Sequence, residues 1–129
     1  MTSNLQEIER VLLQFNRLYQ TRILQQDWLQ CQLALVEGFT NAVRHAHRNL
    51  PPETPITISI AVKSDRLITK IWDYGEPFDL IGFIAQKVKT DNWLGSGRGT
   101  DLIGKIADEV SYDRVSPQQN CLKMTKYLR

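Results

Sequence analysis

The chain has 129 residues, which is enough for one compact domain and too little for two independent hydrophobic cores. Sixteen Lys and Arg residues against fourteen Asp and Glu residues give a formal net charge of +2, so charge offers no argument for nucleic-acid binding. No apolar run reaches the roughly 18 residues that a membrane-spanning helix needs. Met1–Arg10 lacks the basic-then-apolar pattern of a signal peptide. We therefore expect a single cytoplasmic domain over residues 1–129 that contacts neither nucleic acid nor membrane.

The first part of the chain has the period of helices. Apolar residues recur at intervals of three and four over Leu5–Tyr19, which predicts a first helix. A second helix is predicted from about Gln25 to Asn49, because Pro51-Pro52 cannot continue it. Cys31 falls inside this helical pattern and Cys121 inside a strand-like run, which favours two free thiols.

After the prolines the period changes from 3.6 to two. Apolar and polar residues alternate over Ile56–Val62 and Leu67–Asp73 around a turn at Ser64-Asp65, which predicts an antiparallel hairpin with one half-buried face. Two helices and then two strands are predicted at Leu80–Val88, Thr100–Ala107, Glu109–Val115 and Asn120–Leu128. Helices and antiparallel strands in separate blocks indicate an α+β two-layer sandwich.

Polar residues in the second helix need an explanation. Glu37 and Asn41 are four residues apart and share one face, which Arg44, His45 and Arg48 continue. A carboxylate that activates a nucleophile beside an amide oxygen that binds a hard cation is typical of magnesium-dependent phosphate chemistry. The alternative is the solvated stripe of an amphipathic helix.

The end of the second hairpin strand is another such place. Alternation puts Asp73 on the same face as Ile71, the face that packs against the helices. There the carboxylate lies at the sheet margin or accepts a hydrogen bond in a pocket, for instance from the exocyclic amine of a purine. Gly75 permits a flat ligand to approach the backbone. The alternative is an ordinary Asp-x-Gly turn followed by the bend at Pro77.

The glycine-rich loop Gly95–Gly99 precedes the predicted helix that begins at Thr100. Glycines let backbone amides converge, and a helix start adds free amides and a positive dipole, so both favour a phosphate. Arg98 would add a fork of donors. No strand precedes the loop as in a dinucleotide fingerprint, and no Gly-Lys-Ser/Thr of a Walker loop occurs. The alternative is a flexible loop without a ligand.

In this order the three places resemble the nucleotide-binding boxes of the Bergerat-fold ATPases, the superfamily of gyrase, heat-shock protein 90 and histidine kinases. They are most similar to the anti-sigma factor serine kinases of bacterial partner-switching systems. The segments that carry this resemblance are Glu37–Ala46, Gly75–Asp79 and Leu122–Leu128. The resemblance covers roughly Gln30 to the C-terminus. It implies a Bergerat, or histidine-kinase-like ATPase, fold with an antiparallel or mixed sheet packed against helices.

The resemblance also implies residue roles. Glu37 matches the catalytic carboxylate that orients or activates a substrate serine, and Asn41 matches the magnesium ligand. Asp73 matches the residue that binds the adenine amino group, and Gly75 the glycine beneath the base. Further nucleotide contacts implied in this way, including the lid over the phosphates, are His45, Pro77, Phe78, Gly95, Ser96, Gly97, Arg98, Gly99 and Thr100.

The activity implied is that of an ATP- and Mg²⁺-dependent serine kinase that is also an anti-sigma factor. Its partners would be a STAS-type anti-sigma-factor antagonist, which it phosphorylates, and a sigma factor, with a homodimer as a further candidate assembly. One alternative is a nucleotide-gated protein-binding module without turnover, and another is a nucleotide-free interaction domain. A histidine kinase is not expected, because its phosphoacceptor lies on a helical hairpin ahead of the ATPase domain, whereas His45 and His47 follow Glu37 on one helix.

Two stretches differ from the family pattern. Met1–Asn4 is too short to supply the strand that usually precedes the first helix. Ser116–Cys121 lacks the Gly-Thr pair common before the last strand, so no residue is assigned as the hydroxyl that often helps to hold adenine.

Overall fold

A computed structural model describes residues 1–76 and 103–128. In these ranges, helices α1 (Ile8–Asn16) and α2 (Gln25–Asn41) precede a four-stranded antiparallel sheet. The strands are β1 (Thr57–Val62), β2 (Arg66–Asp73), β3 (Glu109–Ser116) and β4 (Gln119–Tyr127). Helix α2 packs on one face of the sheet and α1 packs against α2. The predicted α+β two-layer arrangement is therefore confirmed.

The first helix is shorter than the apolar period predicts. Leu5–Glu7 form a 3-10 turn, whose N-cap residue Asn4 accepts a hydrogen bond from the backbone amide two residues later at 2.9 Å. Helix α1 then ends at Asn16, whose side chain accepts a hydrogen bond from the Trp28 indole of α2 at 3.0 Å. The residue that ends α1 thus also attaches it to α2. No helix in the described ranges is long and apolar enough to cross a membrane.

The prediction of one helix over Gln25–Asn49 is wrong at its C-terminal end. Helix α2 ends at Asn41, and Ala42–Ala46 form a π-helical turn. In this turn the amide of His47 donates to the carbonyl of Ala42, five residues earlier, at 2.9 Å. A π turn widens the helix by one residue and so changes the face that the following residues present. The apolar period does not reveal such a widening.

The sheet begins with the predicted hairpin, in which β1 pairs with β2. Strand β4 lies between β2 and β3, so the strand order is β1-β2-β4-β3. The register places Ile71 opposite Leu122 and Asp73 opposite Asn120. The buried residues of β2 are Leu67, Thr69, Ile71 and Asp73. Alternation therefore predicted the face of Asp73 correctly.

Two contacts fix the helical layer. The rings of Phe15 and Trp28 stack with centroids 4.2 Å apart, a contact worth about 0.5–1.5 kcal/mol beyond its buried area. Helix α2 approaches the sheet most closely at Gly38, where a Cβ atom would lie 2.7 Å from Cδ1 of Ile71 and 3.2 Å from Cδ2 of Leu122. A small residue at this position lets α2 lie directly on the sheet.

Both cysteines are buried free thiols, as predicted. Burial raises the pKa of the Cys31 thiol to about 11 and also raises the pKa of Cys121. Both side chains therefore remain protonated at neutral pH and act as small apolar groups.

The first residues pair with the chain ahead of β1. Thr2 and Pro55 form an isolated bridge, and the amide of Ile56 donates to the carbonyl of Met1 at 2.6 Å. This single bridge is consistent with the expectation that Met1–Asn4 is too short to form a full strand.

Candidate functional site

Asp73 ends β2 on the buried face of the sheet. The residue is 2% exposed, and its carboxylate accepts three hydrogen bonds. Oδ1 accepts from the backbone amide of Gly75 at 2.9 Å and from Nδ2 of Asn120 at 2.9 Å. Oδ2 accepts from the hydroxyl of Tyr112 at 2.7 Å. Because a buried carboxylate without partners is costly, these donors are what allow Asp73 to lie on this face.

The Asp73 carboxylate keeps room for one more donor. Each carboxylate oxygen offers about two acceptor positions, so donors from the described residues fill Oδ1 and leave one position on Oδ2. Burial raises the pKa of the Tyr112 phenol, and its hydrogen bond to Asp73 raises it further, so Tyr112 remains a donor. The free position on Oδ2 therefore suits an amine or amide N–H group and repels a carbonyl oxygen.

The backbone that follows Asp73 is closely packed. The carbonyl of Gly75 accepts from Nη1 of Arg114 at 2.6 Å and from Nδ2 of Asn120 at 3.0 Å. On the helix side, a Cβ atom on Gly75 would lie 2.6 Å from the carbonyl oxygen of Ala46 and 2.9 Å from its Cα atom. Only glycine permits this approach between the end of β2 and the π-helical turn.

Alanine at Gly75 is expected to destabilise the fold more than alanine at Gly38. At Gly75 the added methyl group meets backbone atoms of Ala46, so main chain must move at a cost of about 1–3 kcal/mol. At Gly38 it meets flexible side-chain ends, and alanine gains about 1 kcal/mol of helix propensity over glycine. Urea denaturation of both variants measures the difference. Equal losses of unfolding free energy would contradict the close packing at Gly75.

Helix α2 follows the same direction as β2. Gly38 packs on Ile71, and about two turns later Ala46 packs on Gly75. The two helical turns span about 12 Å, and the four residues along β2 and its end span about 13 Å. The helical segment between these contacts, residues 38–46, therefore lies alongside the end of β2 that carries Asp73.

Asn41 lies within this segment, and Glu37 directly precedes it on α2. Both are half-buried, and neither side chain forms a hydrogen bond with another described residue. A carboxylate in this position can accept a proton, and an amide oxygen can bind a hard cation. Arg44 and Arg48, further along, are exposed, so the solvated-stripe interpretation fits that end of the helical segment.

The π-helical turn decides which histidine reaches Asp73. His45, which the resemblance places at the nucleotide, is exposed. His47 is 2% exposed, and its Nε2 atom accepts a hydrogen bond from the backbone amide of Tyr74 at 2.7 Å. Burial lowers the pKa of His47, and the negative charge of Asp73 opposes this shift. A neutral imidazole therefore joins the helical layer to the end of β2.

The structure brings Asp73 and Gly75 together and places Glu37 and Asn41 on the helix that flanks them. The predicted contacts that lie outside the described residues are Pro77, Phe78, Gly95, Ser96, Gly97, Arg98, Gly99 and Thr100. The predicted helix Leu80–Val88 also lies outside them. Residues 103–106 are helical, within the predicted helix Thr100–Ala107.

No sequence pattern assigned a role in the site to four of its residues, His47, Tyr112, Arg114 and Asn120. Asn120 had a readable signal, because alternation puts this amide on the same face as the apolar Leu122 and Met124. Tyr112 supplies Asp73 with a hydroxyl, and it comes from β3 rather than from the stretch before the last strand. Alternation within β3 cannot show this, because it does not reveal which strands are neighbours.

This fold and buried carboxylate occur in a chain that matches a known family. A family model described as a histidine kinase-like ATPase domain matches residues 1–126. The chain belongs to this family. Among solved structures, the ATPase domain is similar to the Acinetobacter baumannii histidine kinase AdeS, with a TM-score of 0.52 and 18% sequence identity. No curated protein matches it.

The likeness to AdeS concerns the fold. The match covers 79% of this chain and 47% of that chain, so the ATPase domain spans about half of the length of that protein. Family membership establishes a kinase-like ATPase domain that binds ATP.

Proposed function

We propose that this ATPase domain is an ATP- and magnesium-dependent serine kinase that is also an anti-sigma factor of a partner-switching system. Its substrate would be a STAS-type anti-sigma-factor antagonist, its second partner a sigma factor, and its assembly a homodimer. The observation that carries the proposal is the buried Asp73 carboxylate, held by three donors with one acceptor position left, beside a helix that carries Glu37 and Asn41. Support for this branch of the family comes from the segments Glu37–Ala46, Gly75–Asp79 and Leu122–Leu128.

Asp73 is the residue proposed to select the base. The exocyclic amine of adenine is a donor and fits the free position on Oδ2. The carbonyl oxygen that guanine has in place of this amine is an acceptor and would meet the carboxylate acceptor to acceptor. The hydrogen bonds from Tyr112 and Asn120 hold the carboxylate in place before the base arrives.

Asn41 is the residue proposed to bind magnesium. Within the described residues, no group of three or more His, Cys, Asp or Glu side chains could hold a metal ion. Asn41 offers a single amide oxygen. Such a ligand fits an ion that is bound by one or two protein oxygens together with phosphate oxygens and water, as Mg²⁺ is in nucleotide sites. When bound, the ion neutralises charge on the phosphates. The Gly95–Gly99 loop with Ser96, Arg98 and Thr100, and the residues His45, Pro77 and Phe78, remain proposed nucleotide contacts.

Glu37 is the residue proposed to activate the substrate serine. The serine oxygen forms a bond to the γ-phosphorus, the bond from that phosphorus to the oxygen of the leaving ADP breaks, and the hydroxyl proton passes to Glu37. The products are phosphoserine and ADP. Phosphoryl transfer depends mainly on positioning and charge neutralisation, which a rigid helix and a fixed base site can supply.

The proposal is tested by incubating the purified ATPase domain with ATP, Mg²⁺ and STAS-type antagonists from the same genome. We expect one antagonist to acquire phosphoserine, detected by mass spectrometry, and we expect no transfer when Mg²⁺ is chelated. ATP binding without phosphoserine on any of these antagonists would contradict the kinase proposal. Partner affinity that depends on ATP without transfer would favour the nucleotide-gated binding module.

A further inference from the structure

His47 lies inside the protein because of the π-helical turn. Buried residues recur at the helical period along α2 and at the start of the turn that follows it, at Cys31, Leu35, Gly38 and Ala42. The bond from the His47 amide to the Ala42 carbonyl spans five residues instead of four, which shifts this period by one residue. The shift turns His47 inward, to 2% exposure. A rare helix geometry thus serves to bury one polar side chain.

The buried imidazole makes a hydrogen bond at the centre of the candidate site. Its Nε2 atom accepts from the amide of Tyr74, the residue between Asp73 and Gly75, at 2.7 Å. An accepting Nε2 requires a neutral ring with its proton on Nδ1. The Nδ1 atom is buried and has no hydrogen-bond partner among the described residues. Sequence resemblance assigns no role to His47.

The other supports of this backbone come from the opposite side. Asn120 and Arg114, on β4 and β3, hold the carbonyl of Gly75. On the helix side, Ala46 contacts Gly75 sterically. Between the π-helical turn and the end of β2, the described residues form one hydrogen bond, the one from Tyr74 to His47. His47 is thus the polar connection that draws Tyr74 and Gly75 toward the helix.

We propose that His47 is a positioning residue of the nucleotide site: its neutral imidazole holds the Tyr74 amide against α2 and so keeps Asp73 and Gly75 where adenine can bind. The proposal rests on the proposed function in one respect, that Asp73 is the base-binding carboxylate. Without this acceptor, the Tyr74 amide has no partner among the described residues and the end of β2 leaves its binding geometry. Apparent affinity then falls in proportion to the fraction of molecules that keep this geometry.

Protonation of His47 is expected to have the same effect as its removal. The protonated ring would present an N–H group to the N–H group of Tyr74, so the hydrogen bond cannot form. From the end of β2, the negative charge of Asp73 favours the charged ring of His47, and the Tyr74 ring lies 6.4 Å from the imidazole between centroids. From β3, Tyr112 and Arg114 reach this region through Asp73 and Gly75.

The sign of the pH dependence follows from burial. Because burial lowers the pKa of His47, the ring is neutral throughout the range above about pH 6.5, the ordinary pKa of histidine. Nucleotide affinity is therefore steady in this range and declines as the pH falls below it. The charged and titratable side chains near the same turn, Arg44, His45 and Arg48, are exposed.

The test compares His47→Leu, which fills a similar volume without an acceptor, with His47→Gln, which can place an oxygen near the position of Nε2. ADP is the probe, and its Kd is measured by titration calorimetry at pH 7.5. We expect His47→Leu to bind ADP about tenfold more weakly and His47→Gln to restore most of the affinity. Asn49→Leu, at an exposed position near the same turn, is the matched control and should bind like the wild type.

Two further readouts separate positioning from a merely structural role. Amide hydrogen exchange of Tyr74 should be faster in His47→Leu than in the wild type and slow again in His47→Gln. The Kd of the wild type should rise below pH 6.5 more steeply than that of His47→Gln, a comparison that cancels the titration of ADP and of every group that the two proteins share. This pH comparison remains decisive if His47→Leu does not fold.

The outcomes are distinct. Wild-type affinity in a folded His47→Leu variant, or parallel pH curves for the wild type and His47→Gln, would overturn the role of His47 and leave the proposed function intact. An Asp73→Asn variant that binds ADP with the wild-type Kd would instead refute the base site, and with it this proposal.

Discussion

Replacing Glu37 with glutamine is expected to lower phosphoryl transfer to a protein serine by about 10²–10⁴-fold while ATP affinity changes little. The amide has nearly the shape of the carboxylate but cannot take up the hydroxyl proton. Because Glu37 forms no hydrogen bond with another described residue, the change removes no such contact there. Single-turnover formation of phosphoserine, paired with a nucleotide titration, measures the two effects separately.

The matched control for Glu37→Gln is Glu9→Gln, which makes the same change of charge at an exposed position of α1. Transfer by this control should equal that of the wild type. A Glu37→Gln variant that transfers phosphate at the wild-type rate would contradict the role assigned to Glu37. Loss of nucleotide binding together with transfer would place Glu37 in binding rather than in the chemical step.

Replacing Asp73 with asparagine is expected to weaken ATP and ADP binding by roughly 10–100-fold with little loss of stability. The asparagine oxygen can keep the Oδ1 position and accept from Gly75 and Asn120. Its nitrogen then takes the Oδ2 position and donates to the Tyr112 hydroxyl, which accepts as well as donates. The contacts within the protein therefore survive, but the free N–H of the amide meets the adenine amine donor to donor.

Thermal unfolding with and without ADP measures the effect of Asp73→Asn. At a ligand concentration of one hundred times the wild-type Kd, the wild type should gain about 2.7 kcal/mol of stability and the variant only about 0.4–1.4 kcal/mol. Tyr112→Phe is the matched control, because it removes a donor to Asp73 and keeps the carboxylate. It should lose about 1.5–3 kcal/mol of stability, the range for hydrogen bonds to charged groups, and less affinity than Asp73→Asn. An equal gain from ADP in Asp73→Asn and the wild type would exclude Asp73 as the base-binding residue.

The sequence predicted the sheet well where one period governs a segment. Strict alternation over Ile56–Val62 and Leu67–Asp73 locates the hairpin and puts Asp73 on the buried face, since a strand has only two faces. The spacing of Glu37 and Asn41 likewise predicted their shared face on α2, because residues four apart lie on the same side of a helix. The order of these segments along the chain predicted the ATPase fold, which the family match confirms.

The residues that sequence analysis missed depend on two features that no local period encodes. One is the π-helical turn, which adds one residue to the helical turn. In this turn His45 is exposed and the following His47 is buried, a placement that the regular helical period does not predict. The other is strand order, because only the insertion of β4 beside β2 brings Asn120 to Asp73. The hydroxyl of Tyr112 arrives through the same insertion, since β3 borders β4. Long-range pairing, rather than propensity, therefore completes the surroundings of Asp73.

Strand β4, the last strand along the chain, lies in the interior of the sheet between β2 and β3. Asn120 bonds to Asp73 from 47 residues further along the chain. During synthesis, a nascent chain that has not yet released residues 119–127 from the ribosome lacks one of the two strands that pair with β2, and it lacks the Asn120 amide that bonds to Asp73. The proposed binding of nucleotide at Asp73 therefore requires a chain that extends through β4.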